Sequence, residues 1–327
     1  MSGGLRRRTA LKVLAASAAI PLGIVGLRGL APAMGAQAWR GESMGGAAGV
    51  TVWHQDAGHA QKALLHVVAE VERLERIFSL HVADSEISRL NGQGGRHKVS
   101  QDMATVLGAA LDLARRSGGA FDPAVQTLWQ LHAAERRPAA LRHDWLERAR
   151  ESAGIAAIDI AGRAVSLGEG RKITLNAIAQ GYITDRVADL LRMEGFDHAL
   201  VEVGETRALG AQVDGRPFRV GLRDPRQSDR VDRSIDLADM ALSVSGGYGF
   251  RFADGEEHIL DPRTGLSPRN LLDVAVIAPR AMDADALSTA IYVAGEAAAQ
   301  GLVGGAPGAR AMLTRADGSR AEIGAAG

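Results

Sequence analysis

Apolar side chains recur every three to four positions from about Gly58 to Phe78 (Leu64, Leu65, Val68, Val71, Leu74, Ile77), the period of a long helix with one buried face. The same spacing predicts helices over Asp102–Arg116, roughly Val125–His132, Ile178–Met193 and Ala284–Ala294, with glycines at 118, 119 and 195 as stops. A short helix through Leu90 is expected behind Asp84 as its cap, and Leu141–Ala149 reads as helical but polar. Elsewhere the pattern shortens to alternation, the signature of strands. Strands are expected at Gly49–Trp53, 155–160, 163–167, 172–175, 199–203, 206–213, 218–222, 234–237, 241–245, Asp273–Ala278 and 309–314. Helices lead and strands follow, with helices interleaved. This predicts an α+β fold, a mainly antiparallel sheet packed with helices in one intertwined domain over residues 39–327.

The first 38 residues do not fit that scheme. Arg6, Arg7, Arg8 and Lys12 precede a mildly apolar run of 15 residues, Val13–Leu27, broken by Pro21 and glycines. A membrane span needs about 20 strongly apolar residues. The run suits an export signal, and A-P-A (31–33) and A-Q-A (36–38) both offer small-x-small cleavage sites. The arginine pair before Ala-Leu-Lys is similar to a twin-arginine signal, which carries folded proteins to the periplasm; an uncut membrane anchor is the other reading. We expect residues 1–38 to be the signal, with the mature chain starting near Trp39. Removing it takes five of the 38 basic residues and none of the 38 acidic ones, so the remainder is mildly acidic.

That charge, with no basic patch and only 4% aromatic residues, argues against nucleic acid as a partner. The chain has no cysteine, which excludes disulfides, thiolate metal sites, a cysteine nucleophile and a lipoprotein anchor. The nucleotide-binding glycine loops, H-E-x-x-H and G-x-S-x-G are absent, and nine scattered histidines make no zinc cluster. What remains is a set of polar islands on glycine-rich turns: Gly118–Asp122, Thr174–Gly181, Val203–Gly210, Ser245–Tyr248, His258–Gly265 and Asp283–Thr289. In the last, Asp285 and Thr289 stand four apart on one helix face. They could grip a hard cation, or the acids could simply complement the helix dipole.

Taken in order, S-M-G, F-S-L-H-V-A-D-S-E-I-S-R-L-N, G-G-A-F-D-P-A-V, L-N-A-I-A-Q-G-Y-I-T-D, V-G-E-T-R-A-L-G, A-L-S-V-S-G-G-Y, H-I-L-D-P-R-T-G and D-A-D-A-L-S-T-A resemble the FAD:protein FMN transferases, the ApbE-type flavin transferase family. With the twin-arginine-like leader, the L-N-A-I-A-Q-G-Y segment is most similar to the accessory flavin transferases of nitrous oxide reduction, the NosX group. The resemblance implies an ApbE-like fold and Mg²⁺-dependent transfer of the FMN half of FAD to a threonine or serine of a partner protein, with release of AMP. That partner is an acceptor protein, for example a membrane-bound electron-transfer protein.

By the same resemblance the Ala177 carbonyl, Asp285 and Thr289 would hold Mg²⁺. Met44 (otherwise core filler), His81 (otherwise a solvated loop residue), Ala120, Phe121 and Asp122 (otherwise a helix cap) would contact FAD. So would Thr174, Gln180 and Ile259 (otherwise a plain strand residue). His258 is the candidate general base, since an imidazole titrates near neutrality; Asp261, otherwise a turn former, is its rival. Arg263 would steady a phosphate or form a surface ion pair. Thr174 and Gln180 replace an aspartate and a lysine frequent in the family, Gly247 replaces a frequent acid, and Glu205 stands for an aspartate. Two other outcomes use the same residues: FAD pyrophosphatase activity, and a non-catalytic FAD carrier.

Overall fold

The computed structural model describes residues 34–134, 147, 151 and 154–324. The leader through residue 33 and most of the polar helix expected at Leu141–Ala149 lie outside them.

An eight-stranded sheet runs through the molecule in the order β1-β2-β6-β7-β10-β11-β12-β13, every neighbouring pair antiparallel. Its strands are β1 (Gly35–Ser43), β2 (Gly46–His54), β6 (Ala199–Val203), β7 (Glu205–Leu209), β10 (Ala241–Gly246), β11 (Leu271–Ala278), β12 (Arg310–Arg315) and β13 (Arg320–Ile323). Three short strands, β3 (Arg96–Lys98), β4 (Ile158–Ala161) and β5 (Ala164–Leu167), make a second antiparallel sheet. A separate ribbon pairs β8 (Phe218–Asp224) with β9 (Gln227–Leu237).

Helices α2 (Glu86–Gly92) and α3 (Gln101–Arg116) pack on other helices, α4 (Gln126–Ala133) packs with Phe252 and Leu260, and α1 (Ala57–Phe78), α5 (Asn176–Met193), α6 (Ala281–Ala294) and α7 (Glu296–Gly304) cover one face of the large sheet. The main core lies between them and the sheet. The ribbon covers part of the other face with a smaller core of Phe218, Leu222, Ile235, Leu237, Leu242, Ala275 and Ile277. Strand β11 shows the consequence of strand pleating. Val274 and Val276 point to the helices while Ala275 and Ile277 point to the ribbon, so the run Val274–Ala278 is apolar on both faces. None of the helices among the described residues is long and apolar enough to cross a membrane.

The α+β reading holds, and several boundaries move. The cap of α2 is Ser85, whose hydroxyl accepts from Ser88 N–H, and Asp84 is exposed before it. The strand expected at 172–175 does not form, because other partners take its backbone. The Asn91 amide pairs with both Ile173 N–H and Ile173 carbonyl at 2.8 Å, and Thr174 N–H reaches the Pro123 carbonyl. The run 206–213 stops at Gly210, and β9 is longer than 234–237. Strands β1, β3 and β13 and helix α7 were not expected. The boundary after residue 38 falls inside β1, where Gly35–Ala38 pair with Thr51–His54.

Candidate active site

The polar islands converge on one cleft of about 1140 Å³, bounded by α2, α4, the start of α5, β10, the 248–262 loop and α6. His81, Ala120, Phe121, Asp122, Thr174, Ala177, Gln180, His258, Ile259, Asp285 and Thr289 all line it. Met44 and Asp261 do not.

Met44 belongs to the turn between β1 and β2. It has φ 52° and Gly45 has φ 84°, the pair of positive angles that a two-residue mirror-image hairpin turn needs. The Met44 N–H donates to Glu75 Oε1 at 2.6 Å, and its side chain is buried in the main core. It therefore packs behind the cleft. The turn approaches the cleft-lining His81 at Gly45, where a Cβ would stand 3.2 Å from His81 Nε2.

Asp261 is a turn former. Its carboxylate accepts from Arg263 three times, from the backbone N–H and Nε at 2.9 Å and from Nη2 at 2.8 Å. Its own carbonyl receives Gly265 N–H. Both carboxylate oxygens are thus engaged by Arg263, its ion-pair partner. Asp122 likewise caps: Oδ1 takes Ala124 N–H at 2.8 Å and Oδ2 takes Gly154 N–H at 2.6 Å, while burial raises its carboxyl.

Helix α5 and helix α6 meet where chemistry is richest. A Cβ on Gly181 would lie 2.3 Å from the Ala281 carbonyl oxygen, so only glycine lets the two backbones approach. The contact brings Gly181 N–H to Asp285 Oδ2 at 2.9 Å. In a regular helix that N–H belongs to the carbonyl four residues back, which here is Ala177, so Asp285 competes for its donor. Asp283 of the Asp283–Ala290 octet sits in the first turn of α6, where an acid complements the helix dipole, and a second acid reinforces it. Asp185 of α5 accepts from Ala281 N–H at 2.9 Å and Met282 N–H at 3.0 Å, capping α6, while Arg207 pairs with it at 2.6 Å.

Asp285 therefore faces the cleft floor, where Glu205 also lies, half-buried. Burial drives the Asp285 carboxyl up to about 7, and Glu205 is raised by burial and by the nearby Asp285. Among the described residues no Lys or Arg acts on either one. Beside them runs a chain of hydroxyls. Thr289 Oγ1 is 3.0 Å from Ser245 Oγ, which is 2.8 Å from Ser288 Oγ, itself 3.1 Å from Ser243 Oγ. Among the described residues no three His, Asp or Glu side chains could hold a metal by themselves. A cation here would draw on one or two carboxylates, a hydroxyl and a main-chain oxygen. This all-oxygen set with uncompensated buried charge fits Mg²⁺, which takes few protein ligands and leaves positions for phosphate oxygens.

His258 lines the opposite wall. Its N–H donates to the Phe250 carbonyl at 3.1 Å and its Nδ1 lies 3.3 Å from the same oxygen. That carbonyl holds a proton on Nδ1 and leaves Nε2 as the basic nitrogen. Burial lowers the imidazole's value, partly offset by the Phe250 carbonyl and by Glu257. Tyr248 and Phe250 stand exposed at the rim, and Trp129 packs edge-on against Phe252 behind them.

Sequence reasoning passed over Glu257, Tyr292, Asp185 and the serine chain. Tyr292 had a signal: it is seven residues after Asp285, on the same helix face. The exchange at Gly247 has a spatial reason, since a Cβ there would fall 1.7 Å from Glu257 Oε2.

The comparisons agree with one another. The model of the ApbE family matches residues 44–313. An FAD:protein FMN transferase of Treponema pallidum (strain Nichols) is 33% identical over 288 residues, 79% of this chain and 78% of the relative. One of Vibrio cholerae serotype O1 is 34% identical over 238 residues, 69% of this chain and 71% of the relative. The solved flavin transferase ApbE from Vibrio cholerae superposes with a TM-score of 0.78 at 27% identity, covering 90% of this chain and 98% of that one. On the extent of the family match, the chain belongs to the ApbE family.

Proposed function

We propose that the protein is an FAD:protein FMN transferase. One observation carries this reading: Ala177, Asp285, Thr289 and His258 open onto a single cleft that is large enough for a dinucleotide. The names of its relatives support it.

In this reading the cleft takes FAD with its diphosphate toward the α5–α6 contact. Asp285, Thr289 and the Ala177 carbonyl would hold Mg²⁺, which when bound neutralises diphosphate charge and makes phosphorus a better electrophile. His258 Nε2 removes the proton from the acceptor threonine or serine hydroxyl. The hydroxyl oxygen forms a bond to the FMN phosphorus, the bond from that phosphorus to the bridging oxygen breaks, and AMP leaves with that oxygen. The aromatic rim of Tyr248 and Phe250 narrows the entrance and limits water.

Residues preceding β1 form a twin-arginine-type signal that delivers the folded protein to the periplasm. Cleavage after A-P-A leaves β1 whole, whereas cleavage after A-Q-A removes its first four residues. The acceptor belongs to a nitrous oxide reduction system.

The test incubates the protein with FAD, Mg²⁺ and candidate acceptors. A fluorescent acceptor band that survives denaturing electrophoresis, with AMP released in equal amount, is the expected result. FMN and AMP formed without acceptor would make it a pyrophosphatase, and tight FAD binding indifferent to Asp285→Ala would make it a carrier.

A further inference from the structure

Glu257 is buried, carries a carboxylate and stands next to His258, yet the transfer step gives it no task. Its Oε2 accepts from the Tyr292 hydroxyl at 2.8 Å and its Oε1 from Arg251 Nη2 at 2.7 Å, with Arg269 Nη1 at 3.9 Å. The backbone is held as well, since Glu257 N–H donates to Ser267 Oγ at 2.6 Å. Tyr292 is buried on α6, three residues beyond Thr289 and seven beyond Asp285, so all three share a face. One hydrogen bond thus joins the segment bearing the base to the helix bearing the acid and hydroxyl.

The fit leaves no slack on the third side. The carboxylate occupies the place of a side chain at 247, at 1.7 Å from Oε2 and 2.0 Å from Cδ of Glu257. Glycine at 247 and glutamate at 257 are therefore alternatives in one volume, and an acid delivered from 247 would reach the same Tyr292 hydroxyl. The segment itself is a tight return, with Phe252 N–H to the Glu256 carbonyl and His258 N–H to the Phe250 carbonyl. A shift of Glu257 is transmitted to His258 through one peptide unit.

We propose that Glu257 is a positioning residue for FMN transfer, locking His258 to α6 through Tyr292 and filling the space that Gly247 leaves. This rests on the reading of His258 as the base. The charged and titratable groups around the lock are Glu257, Tyr292, Arg251 and Arg269. Glu257 is also the charged group that acts on His258.

The test compares wild type with Glu257→Gln, Glu257→Ala, Tyr292→Phe, His258→Ala, and the double change Gly247→Asp with Glu257→Ala. Folding is checked by circular dichroism, FAD binding by fluorescence titration, transfer by single-turnover kinetics and the His258 ring by NMR titration. Misplacing a catalytic group by about 1 Å can cost on the order of a hundredfold in rate. We expect Glu257→Ala to lower the transfer rate by about tenfold to a hundredfold, with FAD affinity changed by less than about threefold. Glu257→Gln and Tyr292→Phe fall in between, and the double change recovers about tenfold over Glu257→Ala. In a His258→Ala background Glu257→Ala should have no further effect.

NMR should place His258 at a lower pKa in Glu257→Gln, a result independent of any transfer activity. If a folded Glu257→Gln leaves both the His258 titration and the transfer rate unchanged, the proposal is overturned. It is equally overturned if Glu257→Ala slows the His258→Ala enzyme as much as wild type. If wild type transfers no FMN to any acceptor while His258 still responds to Glu257, the functional reading fails and the structural lock stands.

Discussion

At Asp285 the carboxyl sits near 7 through burial, while the Gly181 N–H pulls the other way and Glu205 stands close by. The folded value lies above the unfolded one near 3.9. Its contribution to stability is therefore complete below that value and is lost as pH rises through about 7. Without divalent cation, the melting temperature should fall between pH 5 and pH 8, and Asp285→Asn should flatten the fall. Mg²⁺ should raise the melting temperature at pH 8 in wild type and not in Asp285→Asn, as read by differential scanning fluorimetry; a full Mg²⁺ response in the variant would remove Asp285 from the cation site. His258 has the opposite shift. Burial lowers it, so the free imidazole persists below the ordinary 6.5. Stopped-flow transfer rates should rise with pH through a midpoint below that value, and His258→Ala should abolish this limb and slow transfer by about 10²- to 10⁴-fold.

Between elements, the α5–α6 contact is the joint on which the floor of the cleft depends. The obstruction to a side chain at 181 is backbone, the Ala281 carbonyl and Met282 Cα, and backbone cannot rotate away. Gly181→Ala should therefore push the helices apart and cost about 1–3 kcal/mol in urea unfolding. It should also draw Asp285 off the Ala177 turn and weaken Mg²⁺-dependent FAD binding by isothermal titration. Unchanged binding in a destabilised variant would separate packing from the site. The helices themselves were legible from periodicity: α1, α3, α5 and α6 fall within a few residues of their expected spans. Strand 172–175 was not, because its backbone partners are an asparagine side chain 82 residues away and the Pro123 carbonyl. Nor was β13, whose pairing with β12 depends on register rather than on its own polar pattern.

For the molecule as a whole, the eight-stranded sheet has β1 at one edge. A protein beginning at Gly35 should be more stable than one beginning at Trp39. The shorter one lacks the pairs Gly35–His54, Ala36–Trp53, Gln37–Val52 and Ala38–Thr51. Net values near 1 kcal/mol per hydrogen bond put the difference at about 1–3 kcal/mol, measurable by thermal denaturation. Equal stability would mean that those residues are frayed in solution. The amino-acid sequence by itself determined the α+β class, the helical spans, the absence of thiol chemistry and the set of polar islands. Each of these depends on residue type and near-neighbour spacing. It also brought Asp285 and Thr289 onto one face, since a helical turn is a local object. Only the tertiary structure decided that Met44 is buried in the main core with its N–H on Glu75. Only it showed that Asp185 caps α6, and that Glu257 stands where a side chain at 247 would be. Those outcomes depend on which atoms meet across 104 residues, as Gly181 and Asp285 do, and no local pattern encodes such a distance.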